Sequence, residues 1–151
     1  MSKMWVQLFM SFTLAIGFSL SFRLKPRHLL PAAIGAFWGW AVYLLSLSRL
    51  DSIFIASLVA AVAIALYAEL LARKERAPAT LFLIPGLLPL VPGGNLYYTM
   101  SYTVQGDAEL ARHYSSLTVQ FAFGIAAGMS LVWAYFAMRR NVLRLRERKH
   151  R

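Results

Sequence analysis

Residues 77–106 read APATLFLIPGLLPLVPGGNLYYTMSYTVQG, a run in which no side chain is charged. Any chemistry here belongs to backbone groups and neutral side chains. Pro85, Pro89 and Pro92 recur through its middle, with Gly86, Gly93 and Gly94 beside them. Each interior proline deletes a backbone hydrogen bond and crowds the carbonyl one turn earlier. Together they predict a helix that unwinds rather than one that merely kinks. Pro92-Gly93-Gly94-Asn95 then ends one half-helix and begins another, leaving several N–H donors at one spot, which favours a carboxylate. At helical spacing Asn95, Tyr98 and Tyr102 share one face, and Tyr97, Thr99, Ser101 and Thr103 extend the run of donors and acceptors. The candidate binding residues are therefore Pro85, Gly86, Pro89, Pro92, Gly93, Gly94, Asn95, Tyr98 and Tyr102, and their chemistry suits a small carboxylate. A plainer reading stands beside it: prolines are common in membrane helices, and the tyrosines at 97–102 can form an interfacial aromatic belt.

Glu69 is the one acidic residue placed within a predicted helix, about a turn before a basic cluster. Intramembrane acids are functional by default, which makes it a candidate proton- or cation-coupling carboxylate. It also stands four residues ahead of Arg73, the favourable order for an ion pair on a helix surface. Asp51 or Ser52 reads as a helix cap. Asp107, Glu109, Arg112 and His113 fall in an outer loop predicted to form a short solvated helix. His28, His113 and His150 are scattered and cysteine is absent. Metal-ligand spacing, a thiol pair, a nucleophile–base set and a Walker loop are all missing from the sequence. No catalytic residue, metal or cofactor is expected, and the chain does not read as an enzyme.

The elements that must position these residues follow from composition. The chain has 151 residues, 59% hydrophobic and 15% charged, with mean hydropathy +0.56. A typical soluble domain has about 45–50% apolar and about 25% charged residues. Stretches 4–22, 29–48, 52–68, 77–106 and 114–138 carry no Asp, Glu, Lys or Arg. About 20 apolar residues cross the hydrocarbon core as a helix. The pattern predicts an all-α membrane protein of five transmembrane helices at 4–22, 29–48, about 52–72, within 77–106, and about 116–138, the fourth broken by Pro and Gly. Pro31 falls in the first turn of the second, where a missing N–H costs little. The first segment has no Ala-x-Ala-like cleavage site and reads as a retained helix rather than a signal peptide. One transmembrane domain, residues 1–138, is then followed by a basic cytoplasmic tail, 139–151.

Charge placement predicts the orientation. With five crossings and the N-terminus outside, 13 of the 16 Lys and Arg lie inside, leaving Lys3, Arg49 and Arg112 outside. Cytoplasmic loops are enriched in Lys and Arg, so the prediction is N-out/C-in. The same rule accounts for the tail RRNVLRLRERKHR, which lacks the interleaved aromatics of a nucleic-acid-binding segment and suits anionic headgroups. No nucleic-acid partner is expected; the lipid bilayer is. Gly35-x-x-x-Gly39 and Gly124-x-x-x-Gly128 place paired glycines on one helical face, where backbones can approach closely. They read first as helix-packing surfaces.

Several stretches carry a family likeness. Ala68-Glu69-Leu70-Leu71-Ala72-Arg73, Ala77-Pro78-Ala79 and the run from Ile84-Pro85-Gly86 to Val91-Pro92-Gly93 resemble the threonine/serine exporter family (ThrE). The closest likeness is to its C-terminal membrane domain and to free-standing YjjB-like small subunits. Gly106-Asp107 and Ala126-Ala127-Gly128 fit the same pattern. The likeness is strong over residues 52–138, and in the first two helices it rests on hydropathy and length. It implies a subunit of an exporter in the bacterial inner membrane, working with a separate larger membrane subunit that carries the other half of the transporter. It also implies efflux of threonine and serine, or of C4-dicarboxylates such as succinate; both classes carry a carboxylate. A partner half of five helices beginning inside would make an inverted 5+5 pair. The alternative is an assembly or regulatory membrane subunit that moves no substrate.

Overall fold

The computed structural model describes the backbone of residues 2–149 and the side chains of residues 4–140. It is all-α: α1 (Ser2–Ser21), α2 (Pro26–Leu50), α3 (Ile53–Glu75), α4 (Thr80–Leu87), a 3-10 turn (Leu88–Leu90), α5 (Gly93–Gln105) and α6 (Ala108–Lys149). Four helices are long and apolar enough to cross a membrane, and α4 with α5 makes a fifth if the bent pair is one span.

The helix ends obey local rules. Ser52 caps α3, its hydroxyl accepting from the Ile55 N–H, while Asp51 closes α2 in the left-handed conformation. The turn between α5 and α6 is a Schellman motif with Gly106 at φ 79°, the position at which glycine avoids a Cβ clash. Arginine takes the left-handed position in two other turns, Arg23 after α1 at φ 53° and Arg76 after α3 at φ 50°.

Two boundaries differ from expectation. α2 begins at Pro26, so Pro26 takes the first-turn position and Pro31 lies inside the helix. α6 does not start near 116 and has no separate outer helix before it. Asp107 caps it through Oδ1 at 3.1 Å from the Leu110 N–H, and Glu109, Arg112 and His113 lie in its first turns. No proline and no glycine falls between Asp107 and Gly124, so the helix has nothing to stop it. The tail expected at 139–151 continues this helix as far as Lys149; its side chains from 141 onward lie outside the described residues.

α3 is the central helix, packed against α2, α4 and α6. Its Ala56, Ala60, Ala65, Ala68 and Ala72 are buried, so neighbouring backbones come close along its length. Glycines set the closest approaches. A Cβ on Gly128 would stand 2.7 Å from the Leu58 carbonyl oxygen, and one on Gly124 would meet the Phe54 carbonyl at 2.7 Å. Gly35 lies under the Tyr67 ring, and Gly39 and Gly86 both abut Ile64. Both Gly-x-x-x-Gly pairs are thus occupied within the chain, one at the α2–α3–α4 junction and one at the α3–α6 crossing. α1 packs on α2 around Ala15, Ala33 and Ala36, and α5 packs on α6.

Candidate functional site

The proline run behaves differently at each proline. The helix continues through Pro85, which with Gly86 is buried against α2 and α3. Pro89 sits in the 3-10 turn that follows. The chain leaves helical geometry only at Val91 (φ −61°, ψ 122°), where the residue before a proline is pushed to extended backbone. α4 with its 3-10 turn and α5 are bent by 46° across this point. Pro85 therefore does not unwind its helix, because packing on α2 and α3 holds the two sides in line. The opening comes from Pro92 acting on Val91.

Beyond the break, α5 starts without a capping side chain at Pro92. The Gly93 N–H turns back to the Val91 carbonyl and the Leu96 N–H bonds to Pro92. The N–H groups of Gly94 and Asn95 find no acceptor among the described residues. A Cβ on either Gly93 or Gly94 would meet nothing within 4 Å, so this helix start faces open space. Asn95 is half-buried, and its carbonyl oxygen accepts from the Thr99 hydroxyl at 2.8 Å.

The 3-10 turn also closes a cleft of about 500 Å³ against α1 and α2. Pro89 lines it with Gln7, Ser11, Thr13 and Trp40, beside the apolar Met10 and Leu14. The Ser11 and Thr13 hydroxyls donate to their own helix, to Leu8 O and Phe9 O, which leaves their lone pairs as acceptors. The Trp40 indole N–H is buried with no partner. Counted along the helices at 1.5 Å per residue, Ser11, Trp40 and Pro89 lie roughly 14–21 Å from the basic end, mid-depth in a core of about 30 Å. Backbone freed at that depth must be buried in protein or line a cavity. The cleft supplies an apolar wall and the neutral polar groups of Gln7, Ser11 and Thr13.

The sequence-predicted residues therefore fall into separate places. Gly86 packs with Gly35, Gly39 and Ile64, and Pro85 beside it is buried. Pro89 lines the cleft, and Pro92, Gly93, Gly94 and Asn95 form the open start of α5. Tyr98 and Tyr102 join Tyr114 of α6 in a cluster, with ring centroids 5.1 Å (Tyr98–Tyr114), 5.6 Å (Tyr102–Tyr114) and 6.2 Å (Tyr98–Tyr102) apart. That cluster joins α5 to α6. Glu69 lies 3.9 Å from Arg73, whose guanidinium stands 4.6 Å over the Phe136 ring, an ion-pair arrangement near the end of α3. Gln7, Ser11, Thr13, Trp40 and Tyr114 were not singled out from sequence. The polar spacing of Gln7 and Ser11, i and i+4 within a largely apolar helix, is the available signal. Among the described residues no group of three His, Asp or Glu side chains is placed to hold a metal.

Comparison with known proteins adds identity to this geometry. The family described as the threonine/serine exporter, ThrE, matches residues 7–134, which takes in α1 and α2 as well as the proline run. No curated protein and no solved structure matches the chain. Four long apolar helices and one bent helix pair among the described residues, within a match that covers most of the sequence, identify a multi-pass membrane transport protein rather than an enzyme: the chain belongs to the threonine/serine exporter family.

Proposed function

We propose that the chain is one subunit of a secondary exporter of small carboxylate-bearing metabolites, either threonine and serine or a C4-dicarboxylate such as succinate. It works beside a larger membrane subunit in a bacterial inner membrane. The observation that carries this reading is the start of α5, where the Gly94 and Asn95 N–H groups have no acceptor among the described residues and the Gly93–Gly94 backbone borders open space. Discontinuous helices in secondary transporters direct such half-helix N-termini at anionic substrate groups. The adjoining cleft at Pro89 and Trp40 offers room for the rest of a small substrate.

On this reading α4 and α5 form one crossing. The 26 residues from Thr80 to Gln105 are long enough, at about 1.5 Å each, to span the core despite the bend. Five crossings bring Arg23, Lys25, Arg27, Arg73, Lys74 and Arg76 to the same side as Arg139 and Arg140, which fits N-out/C-in. The partner has a surface available in α5, which packs on α6 and has no buried residue of its own.

Efflux from cells co-expressing the chain and its partner tests the proposal. Gly94→Pro, which deletes one of these N–H donors, and Gly94→Leu, which covers them, are expected to lower export of threonine, serine or succinate by about tenfold, the equivalent of one charge-assisted hydrogen bond or its blockage. Membrane levels of the protein should not change, since Gly94 has no neighbour to displace. Full efflux from both variants would instead assign the chain an assembly or regulatory role.

A further inference from the structure

The basic end of the bundle holds a second cavity, of about 350 Å³, between the turn joining α1 to α2 and the turn joining α3 to α4. Arg23, Lys25, Arg27 and Arg76 line it. Among the described residues Arg23, Lys25 and Arg76 make no ion pair. Arg27 is held from behind: Nη2 donates to the Glu75 carbonyl at 3.2 Å, and Nε donates to His28 Nε2 at 3.1 Å. The Glu75 carboxylate lies 3.8 Å from Arg27 Nε and does not line the cavity. Positive charge in the cavity is therefore largely unanswered by the protein.

His28 forms part of the inner wall of the cavity. Its side chain is 5% exposed and lines the cavity. With Nε2 accepting from Arg27, the ring proton belongs on Nδ1. Nδ1 is buried without a hydrogen-bond partner, the Glu75 carboxylate oxygen at 3.8 Å being too distant. Nδ1 is shielded from the cavity, so the polar groups a ligand can reach there are the cations of Arg23, Lys25 and Arg76.

The turns themselves point the same way. Arg23 and Arg76 both occupy left-handed positions where glycine is the favoured residue. The positive-inside rule accounts for basic residues near this end of the bundle. It does not account for arginine at the one position in each turn that disfavours a side chain. In both turns the result is a guanidinium at the cavity rim. The remaining wall is apolar, with Phe22, Leu24 and Leu81 placed beside the charges.

We infer that this cavity binds the phosphate of an anionic phospholipid headgroup, with Arg23, Lys25 and Arg76 as the charged contacts. Basic pockets between transmembrane helices on the cytoplasmic side recognise such headgroups. The juxtaposition of cations and hydrocarbon favours a lipid over a soluble anion, because a lipid presents phosphate and acyl chain together.

The test uses the full chain in detergent, mixed with equal amounts of phosphatidylglycerol and phosphatidylcholine, with retained lipid counted by native mass spectrometry. Phosphatidylglycerol is expected to be retained in preference. Arg23→Gly with Arg76→Gly should lower its retention by roughly tenfold or more. Glycine suits both left-handed turns, so this double variant should keep the thermal midpoint of the parent. Lys25→Gln, which leaves both turns intact, should lose retention several-fold. Arg139→Gln with Arg140→Gln removes the same charge from exposed positions at the same end and should retain lipid normally. Equal losses from the two double variants would overturn the site in favour of diffuse attraction. So would equal retention of the two lipids, or displacement of phosphatidylglycerol by millimolar succinate or inorganic phosphate.

Discussion

The Tyr67 hydroxyl donates a 2.7 Å hydrogen bond to the Pro31 carbonyl oxygen, and its ring lies against Gly35 one turn further along α2. A Cβ on Gly35 would stand 2.8 Å from the ring edge, so the absence of a side chain there lets the tyrosine reach Pro31. One contact therefore joins the helix that carries the basic N-terminal turn to the central helix. Tyr67→Phe keeps the ring and removes the bond, and it should cost about 0.5–1.5 kcal/mol. Gly35→Leu must displace the whole ring and should cost more, in the range of about 1–3 kcal/mol expected for overpacking. Thermal unfolding of the purified chain in detergent should rank them in that order.

The glycines fall into two classes that stability measurements can separate. Gly124 and Gly128 face α3 backbone carbonyls at 2.7 Å from any added Cβ, and a carbonyl cannot rotate aside as a side chain can. Gly128→Ala should destabilise by about 1–3 kcal/mol. Gly93→Ala, with nothing within 4 Å, should be neutral or stabilising by up to about 1 kcal/mol, since it lowers the freedom of the unfolded chain. A similar loss at both positions would contradict this packing.

Tyr114 holds α5 in place through Tyr98 and Tyr102, and α5 has no buried residue to hold it otherwise. Tyr114→Ala removes two ring contacts, each worth about 0.5–1.5 kcal/mol. Hydrogen exchange should then quicken across Gly93–Gln105 while α3 stays protected. Unchanged exchange in α5 would mean that the tyrosines do not anchor it.

Glu69 pairs with an Arg73 that is also stacked on Phe136, so the charge it supports lies near the interface. Glu69→Gln should cost less than about 1 kcal/mol, as partly exposed ion pairs do. Efflux, with whatever dependence on the proton gradient the parent shows, should be unchanged in this variant. Loss of that dependence, with normal protein levels, would assign Glu69 the coupling role instead.

The chain has no cysteine, so single introduced thiols report topology without background. A cysteine in place of Lys3 should react with an impermeant maleimide added outside intact cells. One replacing Lys74 should react only after the membrane is opened. Labelling of position 3 from the cytoplasmic side alone would rule out the N-out arrangement.

How much of this was legible in the sequence depended on the range of the interaction. The apolar spans and the choice of Ser52 or Asp51 as a cap are local, set by hydropathy and by the backbone preferences of a few adjacent residues. Charge excess along the chain sets the expected orientation in the same local way. The end of α4 was less accessible. Prolines at 85, 89 and 92 look alike in sequence, yet packing on α2 and α3 keeps the helix intact through Pro85, and only Val91 before Pro92 is forced extended.

By itself the sequence determined that this is a helical membrane protein with one irregular stretch, because hydrophobicity, charge and proline act through neighbours in the chain. Only the tertiary structure decided which irregular residues are open and which are buried. It turned Pro85 and Gly86 into packing residues, placed Tyr114 beside Tyr98 and Tyr102, and brought Gln7, Ser11 and Trp40 to Pro89. It also gathered Arg23 and Arg76 around one cavity. Those relationships join residues tens of positions apart, and they exist because glycine and alanine on α2, α3 and α6 let the helix backbones approach closely.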